Sequence, residues 1–312
     1  MILGISLGLL ACALWGLTYL LPLILDTYDP LYITLMRAIV MGAASIAGIC
    51  MQRGLLSRLT VKDWRFALVL SLIGNVLQCW MLMLSVEYAS PVLAGICFGM
   101  IPVLVAIIAN ERDRRRGRPS VQLRRLAIPL FCLFGGLLIA NWSELMTSIA
   151  SGNSPERFAL GVCFGLASTA MWTWYPIRNA DWLLDHPDVS PVFWTSVQCV
   201  ILLPIGIVLW VLAWFVKGDM PSLVGPDPIK FTLVMLFAGI VCSWGASALW
   251  NAMSQMVPTS LVGQMLVFET IFSVLFGHLW DLRLPSVQML SGMALMVGGI
   301  VYSLRLFESL KK

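Results

Sequence analysis

The sequence predicts an all-α integral membrane protein with ten transmembrane helices, arranged as two inverted five-helix repeats with both termini in the cytoplasm. Three observations carry this prediction: a low content of charged residues, a set of long apolar runs, and a series of motifs that occurs twice. Of the 312 residues, 59% are apolar and 12% are charged, whereas a soluble domain carries about 25% charged residues to cover its surface. Lipid is therefore the expected solvent for most of this chain.

Ten apolar runs are each about as long as a helix needs to be to cross a hydrocarbon core of ~30 Å. Numbered as spans 1 to 10, they cover residues 2–25, 31–51, 66–86, 90–110, 126–142, 159–177, 191–216, 231–255, 260–280 and 286–304. Helix is the expected conformation, because lipid does not satisfy open sheet edges and a barrel would alternate polar and apolar residues. The first run lacks the basic segment of a secretory signal and is expected to remain as span 1.

Basic residues are distributed unevenly over the predicted connections, and their distribution sets the orientation. The face that carries both termini and the connections after spans 2, 4, 6 and 8 holds fifteen Lys and Arg, whereas the opposite face holds four. Both termini are therefore predicted to be cytoplasmic. The arginine run at 112–118 could also form a nucleic-acid patch, but a topogenic cytoplasmic loop accounts for it, and no nucleic-acid partner is expected.

Four pairs of segments match between the two halves of the chain, in the same order. The pairs are LGISLGLLACALW (3–15) with LGVCFGLASTAMW (160–172), DPLYITLMR (29–37) with SPVFWTSVQ (190–198), FALVLSLIG (66–74) with FTLVMLFAG (231–239), and PSVQ (119–122) with PSVQ (285–288). A repeat of five spans is odd, so the second copy enters the membrane from the opposite side, as in many secondary transporters. The predicted organisation is a first repeat at 1–142, an extracytoplasmic connection at 143–158, and a second repeat with a short cytoplasmic tail at 159–312.

Four short segments, distributed over both halves of the chain, contain motifs that resemble those of a known family. They are ALWGLTY in span 1, DPLYITLMR at span 2, FGMIPVLVAIIANER closing span 4, and TSLVGQMLVFETIFSVLFGHLWD in span 9. These segments resemble the EamA-type branch of the drug/metabolite transporter superfamily, and the last is similar to its Glu-Pro…Gly-Glu pattern. Two departures occur: Thr270 stands where the family often has Pro after Glu269, and Asp281 stands where it often has Glu. The resemblance covers nearly the whole chain and indicates the superfamily rather than the substrate.

Members of that superfamily carry amino acids, amines, sugars, nucleotide derivatives and cationic drugs, many of them outward. The resemblance therefore implies a secondary transporter of the cytoplasmic (inner) membrane, and we expect export of a small metabolite such as an amino acid or related amine by alternating access. Efflux of aromatic or cationic drugs is the alternative, and a non-transporting scaffold or channel is the rival of a different class. The expected partners are a small-molecule substrate and the lipid bilayer, with protons as a candidate coupling ion.

Charged residues inside the spans are functional candidates, because a charge in the hydrocarbon costs about 2.5–3.5 kcal/mol on insertion scales. Glu269 lies near the middle of span 9, where a carboxylate could exchange a proton or hold a cationic substrate; the alternative is a structural partner for a polar group. Three roles are open for Arg37 in span 2: anchoring the helix end, pairing with Glu269, or contacting substrate. Arg37, Glu111 and Asp281 are grouped as structural or gating residues.

The other substrate-binding candidates are aromatic and amide side chains within the spans. They are Trp15, Asn75, Gln78, Trp80, Trp172, Tyr175, Gln198, Trp250, Asn251 and Gln264. Asn75 and Gln78 share a helix face while Trp80 points elsewhere, and Trp172 and Tyr175 also share a face. A pocket of aromatic rings, amides and one carboxylate would suit an aromatic or cationic organic molecule, although core packing could account for any single member.

Other kinds of chemistry lack a motif in this sequence. The two histidines, His186 and His278, stand alone in separate segments, and no paired His and Glu, Gly-x-Ser-x-Gly nucleophile or P-loop occurs, so neither an enzyme nor direct use of ATP is expected. The eight cysteines lie within or at the edges of apolar runs without a CxxC pair. A disulfide framework, a metal site and a cofactor are therefore not predicted.

Overall fold

A computed structural model describes residues 2–89, 91–117, 120–150, 154–217, 226–282 and 284–308. This part of the chain is helical and contains no strand, so the prediction of an all-α protein is confirmed. The helices are α1 (Ile2–Ile24), α2 (Pro30–Met51), α3 (Val61–Tyr88), α4 (Pro91–Gly99 and Ile101–Arg115), α5 (Leu123–Ala150), α6 (Pro155–Asp185), α7 (Pro191–Lys217), α8 (Pro228–Met256), α9 (Thr259–Met265 and Val267–Trp280) and α10 (Val287–Glu308).

Nine helices in the described part of the chain are long and apolar enough to cross a membrane. The predicted span that is not among them, 159–177, lies within α6, a helix of 31 residues. This run contains the polar residues Ser168, Thr169 and Thr173, all of which are buried in the protein. The structure therefore supports a helical chain with nine candidate spans, while the tenth span and the inverted arrangement stay predictions.

Several helices extend beyond the apolar runs from which they were predicted. The connection expected at 143–158 is mostly helical, because α5 continues to Ala150 and α6 begins at Pro155. Residues 143–150 contain no Gly or Pro, and helical hydrogen bonding does not require apolar side chains. The end of an apolar run therefore marks the expected lipid boundary rather than the end of the helix.

Asp-Pro pairs begin α2 and α8. The Asp29 carboxylate accepts a hydrogen bond from the Leu31 backbone N–H at 2.8 Å, and Asp227 caps α8 by accepting from the Lys230 backbone N–H at 3.1 Å. In both helices the next residue is a proline in the first turn, where its missing N–H leaves no bond unmade. The two beginnings lie side by side, since the Tyr28 ring stacks on Phe231 with ring centroids 4.6 Å apart.

The chain packs into two compact units, each assembled from non-consecutive segments. Unit 1 comprises Met1–Ser71, Leu183–Gln255 and Phe272–Leu282, and unit 2 comprises Leu72–Trp182, Met256–Ile271 and Arg283–Lys312. These are packing units and not the sequence repeats predicted at 1–142 and 159–312, so the repeats remain a prediction.

In unit 1, α2 packs against both α7 and α8. Close approach is possible because Gly42 of α2 meets Leu203 of α7, and Gly239 of α8 meets Val40 of α2, with no room for a Cβ at either glycine. An apolar cluster closes the end of the unit at which α2 and α8 begin. Its buried members are Leu21, Leu25, Ile33, Phe231, Met235 and Ala238.

In unit 2, α5 and α10 form an antiparallel pair in direct backbone contact. A Cβ placed on Gly136 would meet the Gly292 carbonyl oxygen, and a Cβ on Gly292 would meet the Gly136 carbonyl oxygen. Farther along, Gly299 packs in the same way against the backbone of Pro129. Small residues commonly allow membrane helices to approach in this manner, because packing rather than a hydrophobic effect holds them together in lipid.

Four helices carry interruptions, and two of these start at the same position of a repeated motif. A π-helical segment occupies Leu72–Leu77 in α3 and Phe237–Gly245 in α8, and both segments start at the seventh residue of the aligned motifs FALVLSLIG and FTLVMLFAG. In α4 the helix is interrupted at Met100, and in α9 it is interrupted at Leu266. π-Helical segments are rare and occur frequently at functional sites.

Candidate functional site

Unit 1 brings together three of its four predicted substrate-binding residues. The ring centroids of Trp15 in α1 and Trp250 in α8 lie 5.1 Å apart, and Trp250 is buried. The buried Asn251 donates from its side-chain nitrogen to Thr195 Oγ1 at 2.7 Å. An aromatic pair and a satisfied amide therefore lie at successive positions of α8.

A layer of polar groups lines the contact of α7 with its neighbours in unit 1. Gln198 is buried there, and its backbone carbonyl accepts a hydrogen bond from Ser71 Oγ at 2.9 Å. The Trp244 indole N–H donates to Ser196 Oγ at 3.0 Å. The sequence predicted Gln198 but not the hydroxyls Thr195 and Ser196; the only signal was their position in the motif that aligns with span 2.

Arg37 also lies in unit 1, with its side chain half-buried. Its guanidinium Nη1 is 3.4 Å from Ser243 Oγ in the π-helical segment of α8. That hydroxyl donates in turn to the Ala238 carbonyl, at 2.8 Å. Arg37 takes part in no ion pair among the residues that the structure describes.

In unit 2, Gln78 is buried and joined to α6 by two hydrogen bonds. The side-chain Nε2 of Gln78 donates to Ser168 Oγ at 3.1 Å, and that hydroxyl donates back to the backbone carbonyl of Gln78 at 3.2 Å. The next residue of α6, Thr169, donates from its hydroxyl to the Cys97 backbone carbonyl at 2.7 Å. Asn75 is half-buried in the π-helical segment that precedes Gln78. The α6 hydroxyls were not predicted as site residues.

Two aromatic residues of α6 and one of α4 form a stack of rings. Trp172 and Tyr175 lie 4.9 Å apart with an angle of 7° between their planes, and Phe98 adds a third ring 6.3 Å from Trp172. The Tyr175 ring rests on Gly74, where a Cβ would clash with it. Trp80, by contrast, is 57% exposed, so the structure places it away from the buried Gln78, as the helical spacing predicts.

The interruption in α9 separates Gln264 from Glu269, both in unit 2. Gln264 is fully buried in the first part of the helix. Glu269 is half-buried in the first turn of the second part, where its backbone N–H donates to the Leu266 carbonyl at 3.1 Å. A carboxylate in the first turn of a helix is stabilised by the partial positive charge of that end.

The remaining acidic candidates lie at helix ends. Glu111 pairs with Arg114 at 2.7 Å and Arg115 at 2.9 Å, and Asp281 is exposed just beyond the end of α9. Two other arginines of the predicted cytoplasmic run are held by a partner that sequence reasoning missed. Asp181 of α6 forms ion pairs with Arg112 and, at 3.0 Å, with Arg116.

The residues that the structure describes contain no cluster of His, Cys, Asp and Glu that could hold a metal ion. All eight cysteines have free thiols. The polar and aromatic groups of the predicted site residues are rings and amides, together with the carboxylate of Glu269 and the guanidinium of Arg37.

Comparisons with known proteins bear on what these helices do. Residues 2–110 match the sequence model of the EamA-like transporter family. The chain is 30% identical to the inner membrane protein YtfF of Escherichia coli (strain K12) over 309 aligned residues. The alignment covers 98% of this chain and 96% of YtfF. A solved crystal structure that is 17% identical superposes with a TM-score of 0.72, over 96% of this chain and 98% of the other, and shows the shared fold. The chain belongs to the EamA-like transporter family of the drug/metabolite transporter superfamily, as its motifs predicted.

Proposed function

We propose that the protein is a secondary transporter of the bacterial inner membrane that exports a small metabolite, an amino acid or a related amine, by alternating access. The observation that carries this proposal is the set of amide side chains buried within apolar helices: Gln198 and Asn251 in unit 1, and Gln78 and Gln264 in unit 2. Polar side chains buried in membrane helices contact partners on other helices or line a substrate path. The name of the inner membrane relative supports the location.

The proposed topology is two inverted five-helix repeats with both termini in the cytoplasm. It is supported by the paired interruptions, because irregular backbone at corresponding positions of two halves is typical of carriers built from inverted repeats. A green fluorescent protein fused to the C-terminus is expected to fluoresce, and alkaline phosphatase fused there is expected to be inactive. The opposite pair of results would contradict the proposed orientation.

Glu269 is proposed to bind the proton or the ammonium group of the cargo. The test is uptake of labelled amino acids and organic amines into proteoliposomes, with and without an imposed pH gradient. Gradient-driven uptake that is lost in Glu269→Gln and kept in the exposed control Asp188→Asn would support proton coupling through Glu269. Uptake that survives Glu269→Gln would keep the carrier and remove this residue from its mechanism.

Efflux of aromatic or cationic drugs is the second candidate, and the stacked rings of Trp172 and Tyr175 favour it. Aromatic faces attract organic cations by about 0.5–2 kcal/mol each. Adding ethidium and methyl viologen to the same panel separates the two candidates, because a drug carrier would transport them in preference to amino acids.

A channel or a non-transporting scaffold is the rival of a different class. Counterflow separates it from a carrier: a proteoliposome loaded with unlabelled cargo is expected to accumulate labelled cargo transiently only if one site alternates between the two faces. Equilibration without this overshoot would favour a channel, and no flux at all would favour a scaffold.

A further inference from the structure

Arg37 places a positive charge well inside a membrane-spanning helix. From Pro30, where α2 begins, to Arg37 is seven residues, which at a rise of ~1.5 Å each is about 10 Å, or a third of a ~30 Å core. An arginine at this depth can lower its energy in two ways. It can extend its side chain to the nearer interface, or it can bind a partner inside the protein.

The guanidinium of Arg37 extends inward. The beginnings of α2 and α8 lie side by side at Tyr28, and farther along Gly239 packs against Val40. Ser243, one helical turn beyond Gly239, is therefore deeper than Val40. Because Arg37 Nη1 lies 3.4 Å from Ser243 Oγ, its side chain leads away from the nearer end of α2. An interfacial anchor would point the other way.

The contact with Ser243 leaves most of the charge of Arg37 unmatched. At 3.4 Å the hydrogen bond is long, and a guanidinium has five donors to satisfy. No ion pair of Arg37 occurs among the described residues. A guanidinium held at this depth without a carboxylate of the protein is complementary to a carboxylate that arrives with a ligand, since the two planar groups can form paired hydrogen bonds.

We propose that Arg37 binds the carboxylate of the transported metabolite. This inference rests on the proposed function and narrows it, because it selects amino acids over simple amines and cationic drugs. An amino acid carries a carboxylate, which suits the Arg37 guanidinium, whereas simple amines and cationic drugs lack one. Arg37 then determines specificity and is not only a structural or gating residue.

The first test compares cargo pairs that differ in the carboxylate alone. Labelled L-phenylalanine is paired with phenethylamine, and L-leucine with isoamylamine, in proteoliposomes of the full-length protein. We expect uptake of the acid to exceed that of its amine at least tenfold. Arg37→Gln is expected to lower uptake of the acid at least tenfold, Arg37→Lys is expected to keep part of it, and the exposed control Arg305→Gln is expected to match the wild type.

The second test separates ligand binding from a structural role by thermal unfolding without cargo. Removing an arginine that pairs with a carboxylate leaves that carboxylate unsatisfied and lowers the Tm, whereas removing a buried charge that has no carboxylate partner does not. Arg37→Met is therefore expected to unfold at the same or a higher temperature than the wild type. L-Phenylalanine is expected to raise the Tm of the wild type and of Arg305→Gln but not of Arg37→Met.

Contrary results would distinguish an error about Arg37 from an error about the transport function. If the amines are carried as well as the acids and Arg37→Gln changes neither, the carrier stands and the role of Arg37 is overturned. A lower Tm for Arg37→Met that Arg37→Lys restores overturns the role of Arg37 as well, because the charge is then structural. If the wild type carries no member of any pair, the proposed function and this inference fall together.

Discussion

The α5–α10 contact of unit 2 and the α7–α8 contact of unit 1 hold their helices together by different means. The first is closed by glycines, with Gly136 and Gly292 bringing the two backbones into contact. The second is closed by side-chain hydrogen bonds, from Trp244 to Ser196 and from Asn251 to Thr195. A glycine contact admits nothing between the helices, whereas a hydroxyl or amide can exchange its partner for a ligand. We therefore expect the first contact to be rigid and the second to be able to open for a ligand.

The largest effect is expected where the glycine contact is filled. Gly136→Leu would drive a side chain into the backbone of α10. Extra methylenes in a packed interior typically lower the free energy of unfolding by about 1–3 kcal/mol, and we expect this variant to lose more than that. The matched control is Gly298→Leu on the exposed face of α10, where a Cβ would meet nothing within 4 Å. Size-exclusion profiles and Tm in detergent are the measurements. Equal Tm values for the two variants would contradict the rigid contact.

A smaller effect is expected at the ion pairs at one end of unit 2. Asp181 has 10% of its side chain exposed and serves both Arg112 and Arg116, so Asp181→Asn leaves two guanidinium groups without their acceptor. Hydrogen bonds to charged groups contribute about 1.5–3 kcal/mol to stability, and we expect Asp181→Asn to lower the free energy of unfolding by about 2 kcal/mol.

The control for Asp181 is Asp188→Asn in unit 1. Asp188 pairs with Arg58 at 3.0 Å, but more than half of each side chain is exposed, so the pair is screened by water and worth about 0–1 kcal/mol. Denaturant unfolding in detergent at low salt compares the two variants. A larger loss for Asp188→Asn would show that burial does not decide the strength of these pairs.

Features that depend on amino-acid composition, on short motifs or on helical spacing could be predicted from the sequence. Apolar runs located the helices, the family motifs were confirmed, and helical spacing separated the buried Gln78 from the exposed Trp80. Helix ends were missed where helical hydrogen bonding outlasts the apolar run, as it does up to Ala150. The π-helical segments and the interruption at Leu266 were not predicted, because neither apolar periodicity nor a proline marks them in the sequence.

The hydroxyl partners were the harder part of the candidate site. A serine or threonine in an apolar helix can satisfy itself on the carbonyl four residues earlier, as Ser196 does on Val192, so the sequence alone gives no reason to expect a partner on another helix. Only the structure pairs Thr195 with Asn251 and Ser168 with Gln78. The assignment of the amides and rings to substrate stays a prediction, since hydrogen bonding within each unit satisfies some of the same groups.

The smallest effect is expected at the amide of the α7–α8 contact, and it tests whether polar contacts of this kind are exchangeable. Asn251→Ala and Thr195→Val each remove one partner of the 2.7 Å hydrogen bond. Double-mutant cycles on hydrogen bonds between membrane helices average about 0.6 kcal/mol, and we expect a coupling of that size from the Tm values of the two single variants and the double variant. A contact this weak can open for a ligand at little cost, so uptake is expected to change more than stability in Asn251→Ala. A coupling well above about 1.7 kcal/mol, the largest value seen for such bonds, would instead mean that Asn251 locks α7 to α8, and the polar contact would then be as rigid as the glycine contact.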